Sequence, residues 1–221
     1  MNGFAALLAA RAERTPDAPA FVWQGKEVSF ATLAARAARA AQRLRALGVR
    51  PGDRVAVLLA NVPAFVELLH GAIACEAVLL PLNTRLAPPE VAQLLRDAEP
   101  RVLLYAEVLA PLVRAACAAS EVAPECVEVG EHFADPGVVP IGPIEPVRSS
   151  DPLVALLYTS GTTGRPKGVM LSDSNLRASA EASQRHLGVR EGDRWLACLP
   201  LFHVGGLSLL LRSVIDGSCV V

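Results

Sequence analysis

Chemistry is densest at Tyr158-Thr159-Ser160-Gly161-Thr162-Thr163-Gly164-Arg165-Pro166-Lys167-Gly168, where four Ser/Thr hydroxyls, three glycines and two cations fall within eleven positions. Glycine lets a backbone approach an anion closely and aim successive N–H groups at it. Hydroxyls donate to phosphate oxygens, and Lys167 adds positive charge. Hydrogen bonds to a charged group contribute about 1.5–3 kcal/mol each, so a few can hold a polyphosphate tail. The spacing is not that of a Walker loop. Gly161 and Gly164 lie three apart, Pro166 precedes the lysine, and an extended apolar stretch rather than a helix follows Gly168. An ordinary nucleoside triphosphatase is therefore disfavoured. As bare composition the segment is a Gly/Thr-rich turn between two strands; as an ordered string it points to a phosphate grip.

A second candidate is Leu199-Pro200-Leu201-Phe202-His203-Val204-Gly205-Gly206. A histidine between an aromatic residue and a double glycine can turn its ring towards a small anionic ligand. Alone in an apolar run, the same histidine reads as a satisfied core residue. Ser172, Asp173, Ser174 and Asn175 are helix-capping types ahead of a helical pattern, and that role suffices for them. Asp53 and Arg54 read as a turn before a strand.

The elements that must position these residues alternate between strand and helix. Phe30, Leu33, Ala37, Ala41, Leu44 and Leu47 recur at helical spacing, closed by Gly48, with Arg36, Arg39 and Arg43 on the opposite, solvated side. Residues 55–60 predict a strand buried on both faces, and Asn61 predicts the cap of a helix over 63–75. Strands follow at 78–82 and 102–105, and helices at 88–97 and 109–119. Such alternation with short connections means parallel strands joined by helical crossovers. The Gly- and Pro-rich stretch 130–150 breaks the rhythm and reads as a connection between two subdomains. Strands resume at 153–158, 168–171 and 194–199, with helices at 175–187 and 207–215. Ser218-Cys219-Val220-Val221 reads as the opening of a buried strand, so the sequence is expected to stop inside a domain.

Composition narrows the class. Apolar residues make up 52% and charged residues 19%, enough to build a core and to disfavour disorder. A formal net charge of -1 gives no reason to expect nucleic acid or an anionic membrane as partner. Cysteines 75, 117, 126, 198 and 219 form no C-x-x-C pair and do not cluster with the histidines. They are expected to be reduced, buried and without metal, as suits a cytoplasmic protein. The apolar N-terminus lacks a preceding basic residue, which argues against a signal peptide. Residues 196–211 are interrupted by His203 and two glycines and read as core, not as a membrane span.

The string Thr159–Gly168 resembles the signature of the adenylate-forming (AMP-binding) superfamily, which contains acyl-CoA synthetases, adenylation domains of nonribosomal peptide synthetases and firefly-type luciferases. The resemblance extends through Phe30-Ala31-Thr32-Leu33, Gly52-Asp53-Arg54-Val55 and Pro81-Leu82-Asn83-Thr84-Arg85-Leu86, and so over nearly the whole chain. It implies an α/β fold. That fold would be the N-terminal part of a ligase large domain, with mainly parallel sheets and flanking helices in subdomains 1–146 and 147–221. It implies that Thr159, Ser160, Gly161, Thr162, Thr163, Gly164 and Lys167 hold the β- and γ-phosphates of ATP. His203 would lie near the bound carboxylate, making His203 and Lys167 the candidate catalytic residues. Mg2+ is expected on the phosphates, with no ligand identifiable, and coenzyme A as co-substrate. The segment from Trp195 to Ile215, with Asn83–Leu86, is similar to o-succinylbenzoate–CoA ligases of menaquinone synthesis, except that Gly205 stands where a serine is expected. A medium- or long-chain fatty acyl-CoA ligase, an amino-acid adenylation domain and a nucleotide-binding remnant without catalysis remain alternatives. The family's adenine and ribose motifs, its metal-binding glutamate and its C-terminal lysine would lie beyond Val221. These 221 residues alone are therefore expected to complete neither half-reaction.

Overall fold

The apolar N-terminus folds as helix α1 (Phe4–Arg14), which buries Phe4 and Leu8. The computed structural model describes residues 3–134, 149–159 and 166–221. An antiparallel pair follows, β1 (Pro19–Trp23) and β2 (Lys26–Ser29), neither expected from the sequence pattern. Ser29 caps α2 (Phe30–Ala46) by accepting the N–H of Thr32, and Gly48 leaves the helix at a φ of 76°. Then come β3 (Arg54–Leu58), α3 (Pro63–Ala74), β4 (Val78–Pro81), α4 (Pro88–Ala98), β5 (Val102–Tyr105), α5 (Ala110–Ser120) and β6 (Glu125–Glu128). The second run is β7 (Leu153–Thr159), β8 (Lys167–Ser172), α6 (Asp173–Leu187), β9 (Arg194–Trp195), α7 (Val204–Asp216) and β10 (Cys219–Val220).

These strands form two sheets. The larger has the order β6-β5-β3-β4-β7-β8, parallel except for the β7–β8 pair. The chain leaves β3 for β4 in one direction, then crosses back to β5 on the other side of β3. Alternation along β3 shows why both faces must be apolar. Val55 and Val57 join the core that holds α2 and α3, whereas Ala56 and Leu58 join the core under α4 and α5. The smaller sheet, β2-β1-β10-β9, brings the two ends of the sequence together, with Phe21 in register with Val220. Each sheet takes strands from both sides of residue 146, and the expected boundary there falls between β6 and β7 of one sheet.

Buried polar groups lock the helical layer. Arg11 of α1 is 4% exposed and donates to the carbonyls of Val214 and Ile215 at the end of α7, at 3.1 and 2.6 Å. It thereby satisfies carbonyls that a helix C-terminus leaves unpaired. The buried Glu67 of α3 accepts the N–H groups of Phe133 and Ala134 at 2.8 Å each. It also meets Arg36 and the imidazole of His132. Arg43 donates to the Phe133 carbonyl at 2.7 Å and lies over its ring. Arg39 reaches the Ala134 carbonyl. The three arginines expected on a solvated helix face therefore help to hold residues 132–134 against α2 and α3.

Two other expectations are corrected. The strand expected over 194–199 shrinks to Arg194–Trp195, and Leu196 and Leu199 are exposed rather than core. The cysteines are not uniformly buried: Cys75 and Cys219 are, but Cys126 and Cys198 are exposed. The sulfurs of Cys117 and Cys126 lie 3.6 Å apart across α5 and β6. Among the described residues, no helix is long and apolar enough to cross a membrane.

Candidate functional site

The roots of the phosphate-loop string form a strand pair. Thr159 ends β7, Lys167 begins β8, and the two are in antiparallel register, with the Thr159 hydroxyl 3.5 Å from the Lys167 carbonyl. Because alternate residues share a face, paired Thr159 and Lys167 present their side chains on the same side of the sheet, both exposed to solvent. Ser160, Gly161, Thr162, Thr163 and Gly164 lie outside the described residues.

One step below this neck, Tyr158 pairs with Gly168. A Cβ on Gly168 would meet Leu156 Cδ1 at 2.9 Å and the Tyr158 ring at 3.4 Å, so the missing side chain gives the ring room. The Tyr158 hydroxyl donates to the carboxylate of Asp97 in the last turn of α4. Burial and that neighbouring carboxylate both raise the Tyr158 pKa, which keeps the phenol protonated and donating. The end of β7 is thus moored to the helical layer. Sequence reasoning missed this contact, because an aspartate on a helix 61 residues away carries no local sign of its partner.

His203 lies on the segment between β9 and α7. It is exposed, occupies the N-cap position of α7, and tilts against Phe202 with ring centroids 4.7 Å apart. Three constraints shape this segment. The His203 N–H donates to the Pro200 carbonyl at 3.0 Å, closing a turn. A Cβ on Gly206 would fall 2.4 Å from that same carbonyl oxygen, so only glycine allows α7 to start so close to the turn. The third constraint comes from Asn61. Its side-chain amide donates to the Leu199 carbonyl at 3.0 Å and accepts the Leu201 N–H at 2.8 Å. The expected helix-capping role of Asn61 is therefore corrected. Val62 holds the N-cap position of α3, where Pro63 needs no N–H acceptor.

Topology brings the two motifs to one edge. Strands β3, β4 and β7 run parallel and adjacent, so their carboxyl ends share an edge of the large sheet. Asn61, with residues 199–203 attached, lies just past the end of β3, and Thr159 ends β7. With neighbouring strands about 4.8 Å apart, these ends are separated by roughly 10 Å. The same edge holds the point where the onward connections of the neighbours β3 and β5 run to opposite sides, the place where open α/β sheets bind ligands.

A cavity of about 820 Å³ lies elsewhere. It is lined by His70 and Ala74 at the end of α3, residues 149–152 ahead of β7, and Arg177 of α6, and so opens near the amino end of the sheet. The candidate hydroxyl, cationic and imidazole groups, of Thr159, Lys167 and His203, belong instead to segments that reach the carboxyl edge. No group of three or more His, Cys, Asp or Glu side chains among the described residues is arranged to hold a metal, so none is assigned to Mg2+.

The profile described as AMP-binding enzyme matches residues 8–221. The chain is 37% identical over 211 residues to the 2-succinylbenzoate–CoA ligase of Bacillus licheniformis, covering 96% of this chain and 43% of that protein. It is 36% identical over 212 residues to a feruloyl-CoA synthase of Amycolatopsis, covering 96% of this chain and 42% of that protein. The o-succinylbenzoate coenzyme A synthetase of Bacillus subtilis, solved in complex with ATP and magnesium ion, superposes with a TM-score of 0.84 at 34% identity. That match covers 97% of this chain and 56% of the solved one. The chain thus spans about two-fifths of the length of the curated relatives described.

Proposed function

The chain belongs to the AMP-binding enzyme family, and from that premise we propose that it is the nucleotide-gripping part of an ATP-dependent acid–CoA ligase. In the proposed reaction a carboxylate oxygen attacks the α-phosphorus of ATP, pyrophosphate leaves, and an acyl-adenylate forms. The thiol of coenzyme A then attacks the acyl carbon and releases AMP. The protein makes no covalent bond in the first step. Its work is to align the attacking and leaving oxygens and to neutralise charge as it moves onto the leaving diphosphate.

Residues 159–167 would hold that diphosphate, with Lys167 as the cation and the hydroxyls and N–H groups of Thr159 to Gly164 as donors. His203 would face the carboxylate. Supporting this is that the Thr159/Lys167 neck and the segment carrying His203 are both attached at the carboxyl edge of β3, β4 and β7. Magnesium, when bound, would screen the phosphate charges. The acid is proposed to be aromatic, with 2-succinylbenzoate as first choice. The curated relatives described above are named for 2-succinylbenzoate and for a feruloyl product.

The test is acid-dependent exchange of labelled pyrophosphate into ATP by the intact protein containing this chain, with 2-succinylbenzoate, ferulate and a long-chain fatty acid compared. The double substitution Lys167→Ala/Thr163→Ala should lower kcat/KM for ATP at least tenfold, given about 1.5–3 kcal/mol per lost contact to a charged group. Unchanged ATP kinetics would overturn the assignment of the loop. Preference for the fatty acid would overturn the substrate class while leaving the reaction intact.

A further inference from the structure

Asn61 makes a contact that helix capping does not explain. It follows β3 by three residues, beside the point of the large sheet where the onward connections of β3 and β5 part to opposite sides. From there its amide spans residues 199 and 201, 138 and 140 positions further along the chain. The match is two-sided: an N–H meets a carbonyl, and a carbonyl meets an N–H. Among side-chain amides only glutamine offers the same donor–acceptor pair, and it is one methylene longer. Pro200, between the two contacts, has no N–H of its own and gives its carbonyl to His203. Leu201 is 4% exposed and plugs the core beside the fork. Everything from Leu199 to the start of α7 is therefore referenced to the end of β3 through one side chain. His203 itself is exposed, so its backbone position decides where its ring can reach.

We propose that Asn61 is a positioning residue for the reaction: it fixes the Leu199–His203 segment so that the His203 ring meets the reacting carboxylate, without touching substrate itself. This rests on the reading of His203 given above. The roots of the phosphate-loop string, Thr159 and Lys167, are held separately, by the β7–β8 register and by the Tyr158–Asp97 contact one residue below. Loss of Asn61 therefore slows the chemical step while leaving the grip on ATP in place.

A double-mutant cycle in the intact protein tests this. Asn61→Ala should lower kcat for adenylation at least tenfold, with KM for ATP within about twofold of the parent. Asn61→Asp keeps the acceptor for the Leu201 N–H but loses the donor to Leu199, and should fall between parent and alanine variant. It also serves if the alanine variant folds poorly. In a His203→Ala background, adding Asn61→Ala should change kcat less than twofold, because the group it positions is gone. If His203→Ala alone slows the enzyme but Asn61→Ala still exerts its full effect on top, the positioning role is wrong and the His203 reading survives. If His203→Ala leaves kcat unchanged, the His203 reading fails and takes this inference with it. A rise in KM for ATP with unchanged kcat in Asn61→Ala would also overturn the proposal.

Discussion

Helix α3 and the segment from β8 to the start of α7 contrast sharply. All residues from Pro63 to Ile73 are buried, sandwiched between the large sheet and α2, with Gly71 letting the two helix backbones touch. By contrast Val169, Met170, Leu187, Leu196, Leu199 and Val204 expose large apolar side chains. The first region has its geometry fixed by packing on every side. The second carries the candidate chemistry, Lys167 and His203, and takes its geometry from a few specific contacts: the neck pairing, Asn61 and Gly206. Position in the site is therefore set by points of attachment to a rigid frame, while stability resides in the frame.

Substitutions can break or sharpen that contrast. Phe65→Ala, at a side chain with no exposure, should cost about 3–5 kcal/mol in urea unfolding, since a phenyl-sized void in a packed core cannot close fully. Next is the buried His70, whose imidazole is lowered from 6.5 to about 4 by burial. Above pH 6.5 both folded and unfolded chains hold it neutral. As pH falls below 6.5 the unfolded chain takes a proton that the folded one refuses, so stability drops until about pH 4. That loss amounts to about 3 kcal/mol. In His70→Leu this portion of the drop between pH 7 and pH 4 should vanish; equal pH slopes in the two proteins would refute it.

Gly71→Ala should destabilise by about 1–3 kcal/mol although alanine favours helix, because the new methyl would sit 2.6 Å from Ala40 Cβ and 3.0 Å from the Ala41 nitrogen. A stabilised variant would show that α2 and α3 can part without penalty. Ser172→Ala removes the oxygen that accepts the Asn175 N–H at the start of α6 and should cost about 1 kcal/mol. Smallest is Met170→Ala, at a side chain exposed to 64%, which should stay within about 0.5 kcal/mol of the parent. A loss there as large as that of Phe65→Ala would dissolve the contrast.

Legibility followed the same divide. The spans of β3, β4, β5, α2, α3 and α4 could be read to within a residue or two, because two-sided burial and helical spacing are written in consecutive residues. Strands β1, β2 and β6 were not seen: each is short, charged and exposed residues interrupt β2 and β6, and β1 opens on a proline with no alternation of polar and apolar residues. The arginines of α2 were misread for a related reason. Periodicity says which face of a helix is polar, but not whether a buried carboxylate such as Glu67 and the backbone of residues 133–134 wait opposite it.

By itself, the sequence determined the alternation of apolar strands and amphipathic helices, and the order of hydroxyls, glycines and cations on which the proposed phosphate grip rests. Both depend on neighbours within a few positions. Only the tertiary structure decided that β10 lies beside β1, that Asn61 holds residues 199 and 201, and that the Thr159–Lys167 neck shares an edge with the attachment of the segment carrying His203. These are long-range pairings between short or irregular segments. Their energies come from hydrogen bonds that become available only once the sheet has placed the partners side by side.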